Sequence, residues 1–143
     1  YITGRMHNRV RMIVASYLTK HLLMDWRLGL KWFEECLIDW DPASNAMGWQ
    51  WVAGSGPDAS PFFRVFNPEL QAKKFDPEGK YQMKYLGPSS SDTHDSEIFY
   101  KMAPKSWNIN EKSRPSSSIV DLKFGRDRAL NSYSKFKKII ADL

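Results

Sequence analysis

Apolar residues in the first part of the chain recur every three or four positions. From Met6 to Leu23 they fall at Met6, Val10, Ile13, Val14, Tyr17, Leu18 and Leu22, the spacing of a helix with one buried stripe. Leu30, Phe33 and Leu37 repeat the period after Asp25-Trp26-Arg27. Asp41-Pro42 reads as a cap followed by proline at the first helical position. It opens a helix over Ala43 to Ala53 that ends at Gly54-Ser55-Gly56-Pro57. Asn67-Pro68 and Asp76-Pro77 repeat the signature and are expected to open two short helices. A last helix is expected from about Asp121 to Ala141, with Leu122, Ala129, Leu130, Tyr133, Phe136 and Ile140 facing inward. A half-buried strand needs period-two alternation, and no stretch shows it. The expected class is all-α.

With 143 residues the chain is long enough for one domain with a core and short for two. Residues 1–86 are expected to supply the core helices and 119–143 the terminal helix. Between them, 87–118 include Pro88-Ser89-Ser90-Ser91-Asp92 and Arg114-Pro115-Ser116-Ser117-Ser118. That composition buries little apolar surface and suits a long irregular connection. Cys36 is the only cysteine, so no disulfide forms within the chain and a reducing, cytoplasmic setting is expected. One Cys and three His give no cluster of metal-ligand spacing, and no metal is expected. No apolar run approaches the ~18 residues of a membrane span, and no membrane partner is expected. The chain opens on Thr3-Gly4 and a helical pattern without an initiating Met, and is read as the end of a longer protein.

A net charge of +5 with 14% aromatic residues, six of them Trp, suits a nucleic-acid partner. Lys and Arg neutralise phosphates, and aromatic faces stack on bases. A plain basic helical domain has the same composition, so the residue clusters must decide.

Three clusters stand out. His7, Asn8, Arg9 and Arg11 crowd within about one turn, with Asn8 and Arg11 three apart on the same side of the helix. Basic residues at a helix amino end oppose its dipole, which points to an anionic ligand or carboxylate partners as against a solvated basic helix start. In Leu37-Ile38-Asp39-Trp40-Asp41-Pro42-Ala43-Ser44-Asn45, Asp41 is explained as an N-cap. Asp39 follows an apolar run and is expected to be partly buried beside a cation; Arg11 is the candidate by charge. Asn45 lies about one turn into the helix, toward the same region. In Gly48-Trp49-Gln50-Trp51 two indoles two apart point in different directions. Core packing is the ordinary reading, and with Trp26 and Trp40 near in sequence a redox or stacking role is the other.

These clusters occur in the order of a known signature. Thr3-Gly4-x-Met6-His7-Asn8-Arg9-Val10-Arg11-Met12, Asp25-Trp26-Arg27, Leu37-Ile38-Asp39-x-Asp41, Asn45, Trp49-Gln50-Trp51, Phe63-Arg64-Val65-Phe66-Asn67-Pro68, and Lys74-Phe75-Asp76-Pro77-x-Gly79-x-Tyr81 resemble the flavin domain of class I cyclobutane pyrimidine dimer DNA photolyases, in the photolyase/cryptochrome family. Ile119-Val120-Asp121 with Arg126, Ala129 and Tyr133 resembles its terminal helix. The resemblance implies the carboxy-terminal part of the helical FAD-binding domain. It also implies light-driven repair of pyrimidine dimers in damaged DNA by electron transfer from reduced, anionic FAD, in a monomeric lyase whose antenna chromophore sits in an amino-terminal domain upstream. The 143-residue piece by itself is expected to be inactive.

Carried over residue by residue, Asn8, Arg11, Asp39, Trp40, Asp41 and Asn45 would line the FAD, with Asn45 facing the flavin N5 and Arg11 paired with Asp39. Asn8, Arg9, Met12, Trp51 and Arg64 would meet the flipped-out dimer. Trp49 and Trp26 would be the inner two members of the electron-transfer chain. Arg5, Trp40 and Met47 depart from the family's usual residues, and the pattern is lost over 82–118. Two alternatives remain: a cryptochrome-type blue-light receptor, against which Asn45 and the dimer-facing residues argue, and a cofactor-free basic helical binding module.

Overall fold

The computed structural model describes residues 1, 3–86, 101, 103, 105–108 and 117–142. Among these every regular element is helical, and no helix is long and apolar enough to cross a membrane. The chain divides into two compact units, Gly4–Pro68 with Val120–Leu143, and Tyr1–Thr3 with Glu69–Ile119. The first holds α1 (Asn8–Ser16), a π-helical turn (Tyr17–His21), α2 (Trp26–Cys36), α3 (Pro42–Ala53) and α6 (Leu122–Ala141). The second holds α5 (Lys80–Leu86), a 3-10 turn (Lys105–Trp107) and, past its first residue, α4 (Pro68–Phe75). The irregular connection expected over 87–118 falls largely outside the described residues.

Aspartates cap three helices, Asp41 as expected from the sequence. Asp25 accepts from the N–H of Arg27 at 2.9 Å, Asp41 from Ser44 at 2.7 Å and Asp121 from Phe124 at 2.7 Å. Pro42 starts α3, and Gly54 ends it in the left-handed region at φ 82°, where a side chain would be strained. Asp76 differs from expectation. Pro77 lies in a turn, and α5 begins three residues later, yet the Asp76 carboxylate reaches forward to the N–H groups of Tyr81 and Gln82, both at 3.0 Å. It satisfies the free donors of the helix start from outside the usual cap position.

The long first helix is interrupted. The Thr19 hydroxyl donates to the Ala15 carbonyl at 2.7 Å, competing for an acceptor of the helical ladder, and the next turn widens into the π form. Leu22 N–H then reaches the Tyr17 carbonyl, and the segment closes with Leu23 at φ 54°. The burial pattern changes with it. The most enclosed residues are Ala15, Ser16, Lys20 and His21, while Val14, expected inside, is 37% exposed.

Ala15, Phe33, Trp49 and Val52 form the core of this unit, with Met6, Met12, Leu18, Trp26, Leu30, Leu37, Trp40 and Trp51 packed around them. Gly29 is what allows α2 and α3 to meet: a Cβ there would lie 2.0 Å from the Trp49 ring. Phe33 meets the same ring edge-on at 5.0 Å, a geometry worth about 0.5–1.5 kcal/mol beyond its area. On the other side α6 packs Gly125 against His21, and Arg128 donates to the His21 carbonyl. Tyr133 stacks on Phe62 at 4.4 Å. Phe136 and Ile140, expected inward, are 56% and 54% exposed.

Candidate functional site

A cleft opens between the facing stripes of α1 and α3. From α1 come Asn8, Arg11, Met12 and Ala15; from α3 come Ser44, Asn45, Gly48, Trp49 and Val52. Each set follows the i, i+3, i+4, i+7 pattern of one helix face. Phe33 closes the bottom, and Asp39 and Asp41 stand in the wall. The cavity measures about 290 Å³, at the small end of the ~300–1,000 Å³ range for ligand pockets.

Its floor is the core itself, since all four fully buried core residues line it. Its rim is polar. The site is therefore apolar below and hydrogen-bonding around the edge, a surface suited to a flat ring with polar edges. Asn8 is the first residue of α1 and Asp41 caps α3, so both helices turn their positive ends toward this rim.

The charged group on α1 is held rigidly. Arg11 Nε donates to the Met6 carbonyl at 2.8 Å, and Nη2 donates to both Asp39 oxygens at 2.9 Å. The pair is lopsided. The Arg11 side chain is 20% exposed and that of Asp39 60%. The expectation of a partly buried Asp39 is thus corrected. Residue 39 sits in the turn between α2 and α3, where the carboxylate meets solvent while the guanidinium is held inside. Hydrogen bonds from Arg11 keep the Asp39 carboxyl below its usual range, and the Ser44 backbone N–H does the same for Asp41. The Asn45 amide donates to the Asp41 carbonyl at 3.0 Å, and Asn8 points its amide at the Met12 sulfur, 3.9 Å away.

Five of the six expected flavin-lining residues share this cleft: Asn8, Arg11, Asp39, Asp41 and Asn45. Trp40 is not in its wall. The indole turns into the core, where its Nε1 is buried without a partner among the described residues, because the residues on either side of it point outward. Trp49 lies between core and cleft, its Nε1 also buried without a partner among the described residues. Trp26 packs against the same core cluster. Of the expected dimer-facing residues, Asn8 and Met12 line the cleft. Trp51 lines a neighbouring hollow of about 220 Å³ with Met47, Gly48, Gln50, Ser55, Pro57 and Asp58, and Gly48 belongs to both. Arg9 lies outside both walls, its N–H donating to His7 Nδ1 at 3.2 Å. Arg64 is exposed on the loop that follows Pro61.

Sequence reasoning passed over Phe33, Ala15, Ser44, Gly48 and Val52 as wall residues. The signal was present in the spacing of Ser44, Gly48 and Val52 around Asn45 and Trp49. It also passed over Lys20 and Ser16, whose polar side chains gave no hint of burial.

Residues 1–135 match the family described as the FAD binding domain of DNA photolyase. The deoxyribodipyrimidine photo-lyase of Agrobacterium fabrum is 51% identical over 140 residues, which cover 94% of this chain and 29% of that protein. A bacterial class III photolyase from Agrobacterium tumefaciens superposes with a TM-score of 0.70 at 47% identity, over 94% of this chain and 29% of its own. A cryptochrome from Synechocystis sp. PCC6803 gives 0.68 at 34% identity, over 90% and 27%. The chain thus spans less than a third of the length of each of these relatives.

Proposed function

Because the chain belongs to the family of photolyase FAD-binding domains, we propose that the α1–α3 cleft receives the flavin of FAD and that the whole enzyme repairs pyrimidine dimers in DNA under light. The convergence of Asn8, Arg11, Asp39 and Asn45 on one cleft floored by the core supports this reading most. The residues fit the cofactor. Phe33, Val52 and Trp49 offer an apolar bed, Gly48 leaves open space where a Cβ would stand, and the rim carries amide donors and one guanidinium. When bound, FAD supplies the light-excited electron.

The chain's own residues supply orientation and field. Arg11, fixed by Met6 and Asp39, brings a positive charge whose position costs no reorganisation when negative charge develops nearby. Asn8 and Asn45 present amides that donate hydrogen bonds without offering a labile proton. Trp49, in the core cluster, and Trp26, packed against it, are the reading's route for electrons into the cleft. Arg9, Met12, Trp51 and Arg64 are its contacts for the extruded dimer.

The 51% identity to a photo-lyase, against 34% to the cryptochrome, favours repair over signalling. The test uses the full-length protein that carries this chain, purified and mixed with a dimer-containing oligonucleotide. Bound FAD with light-dependent loss of dimers is expected. Bound FAD without repair supports the receptor reading, and absence of FAD the binding module.

A further inference from the structure

Lys20 is among the most enclosed residues described, with 0% of its surface exposed. Burying an ammonium is costly unless each proton is met. Its partners here are main-chain carbonyls and a ring. Nζ donates to the Phe62 carbonyl at 2.9 Å and to the Arg64 carbonyl at 3.1 Å, and sits 4.7 Å from the centre of the Phe62 ring. Burial, and then the charge of Arg64, lower its pKa to about 8.

Ser16, one turn earlier and also fully buried, accepts the Phe66 N–H on its hydroxyl at 3.1 Å. Residues 16 and 20 lie four apart on one helical face, so both reach one stretch of chain. That stretch, 60–67, has no regular secondary structure, and Lys20 and Ser16 give side-chain partners to the Phe62 and Arg64 carbonyls and the Phe66 N–H, groups that no ladder supplies. Ser60 N–H is held by the Trp51 carbonyl at 3.0 Å, and Phe62 is clamped on Tyr133. The stretch is pinned from inside, while outside it presents Phe63, 69% exposed, and the exposed Arg64.

We propose that Lys20 is a positioning residue: its buried ammonium, with Ser16, fixes the backbone of 62–66 so that Arg64 is held in one geometry for contact with damaged DNA. The inference rests on the reading of this protein as a dimer-repair enzyme. A residue that serves only stability would weaken all DNA contacts alike. A pin beneath Arg64 acts through Arg64.

The experiment uses the full-length protein with Lys20→Met, Arg64→Ala, Arg9→Ala, and the doubles of Lys20→Met with each. Dark binding of a dimer-containing oligonucleotide, FAD content, and hydrogen exchange of the 60–67 amides are measured. Lys20→Met is expected to retain FAD, to raise exchange at 62–66 and to weaken binding about tenfold. Arg64→Ala should add little in that background, whereas Arg9→Ala should add its full effect. Unchanged exchange, or full additivity with Arg64→Ala, overturns the proposal. Should Lys20→Met not fold, Ser16→Ala must show raised exchange at Phe66 and the same coupling to Arg64 at smaller size; its absence is equally fatal. If Arg64→Ala alone leaves affinity unchanged, the reading of Arg64 as a DNA contact falls, and the purpose given to Lys20 with it, even where exchange rises.

Discussion

The stretch 8–21 carries two polar faces with opposite fates. On one, Asn8 and Arg11 stand at the rim of a cavity and stay accessible; on the other, Ser16 and Lys20 are sealed under the 60–67 loop. The rim uses charge against charge, with Arg11 chelated by a carboxylate that faces solvent. The sealed face uses charge against carbonyl dipoles, with the Lys20 ammonium donating to two loop carbonyls. The first arrangement leaves hydrogen-bonding capacity for a ligand. The second is closed and can serve only to hold chain in place. Polar residues at helical spacing therefore mean a site in one case and a fastening in the other, and the deciding factor is what packs over them.

Perturbing the floor that the cleft shares with the core should have the largest effect. Gly29→Ala drives a Cβ into the Trp49 ring; overpacking of this kind should cost about 3 kcal/mol and lower flavin retention too, read by thermal melting and absorbance of the full-length protein. Retention unchanged at a lowered melting temperature would separate floor from core and break the comparison.

Next comes the sealed face. Lys20→Met leaves two carbonyls without their donor but removes a desolvated charge, for a net loss of about 1–2 kcal/mol with flavin retention intact. The pH dependence sharpens this. The folded pKa of Lys20 is lowered from 10.5 to about 8, so between those values the unfolded chain binds more protons than the folded one. Stability contributed through this group should rise as pH climbs from about 8 toward 10.5, and Lys20→Met should flatten that rise in melting curves.

At the rim the order should invert. Asp39→Ala releases Arg11 and should cut flavin retention several-fold while barely moving the melting temperature, because the carboxylate is exposed. Asp41→Ala should affect retention less, since its recorded role is to cap α3. The folded pKa of Asp39 is depressed, so its interaction with Arg11 is present above the ordinary carboxylate pKa and lost as pH falls through the lowered one. Retention titrated downward should follow. Asn45→Asp should be the mildest, with stability and retention near those of the parent and only the spectrum of the illuminated, reduced protein changed. Identical spectra would mean that residue 45 does not meet the ring.

Much of the fold is legible in single residues. Asp41 with Pro42 announces a helix start because a cap works within three residues of chain, and Gly54 marks its end for the same local reason. The pairing of Arg11 with Asp39 was reachable from charge and sequence order. Other features were not. Thr19 looks like any helical threonine until its hydroxyl takes the Ala15 carbonyl and the turn widens. Phe136 and Ile140 continue the apolar period of α6, yet both are more than half exposed, which depends on what packs over them and not on their spacing.

By itself, then, the sequence determined the helical class, the caps, the family likeness, and the residues of which the cleft rim is made. These depend on interactions within a few positions, or on patterns that survive whole in the chain. The tertiary structure alone decided which polar residues are open and which are sealed: that Asp39 faces solvent, that Trp40 turns into the core, and that Lys20 is buried. Burial is a property of what lies on the far side of a side chain. For Lys20 that is a loop more than forty residues away in sequence, whose carbonyls make a buried ammonium tolerable only once the helices have brought them there.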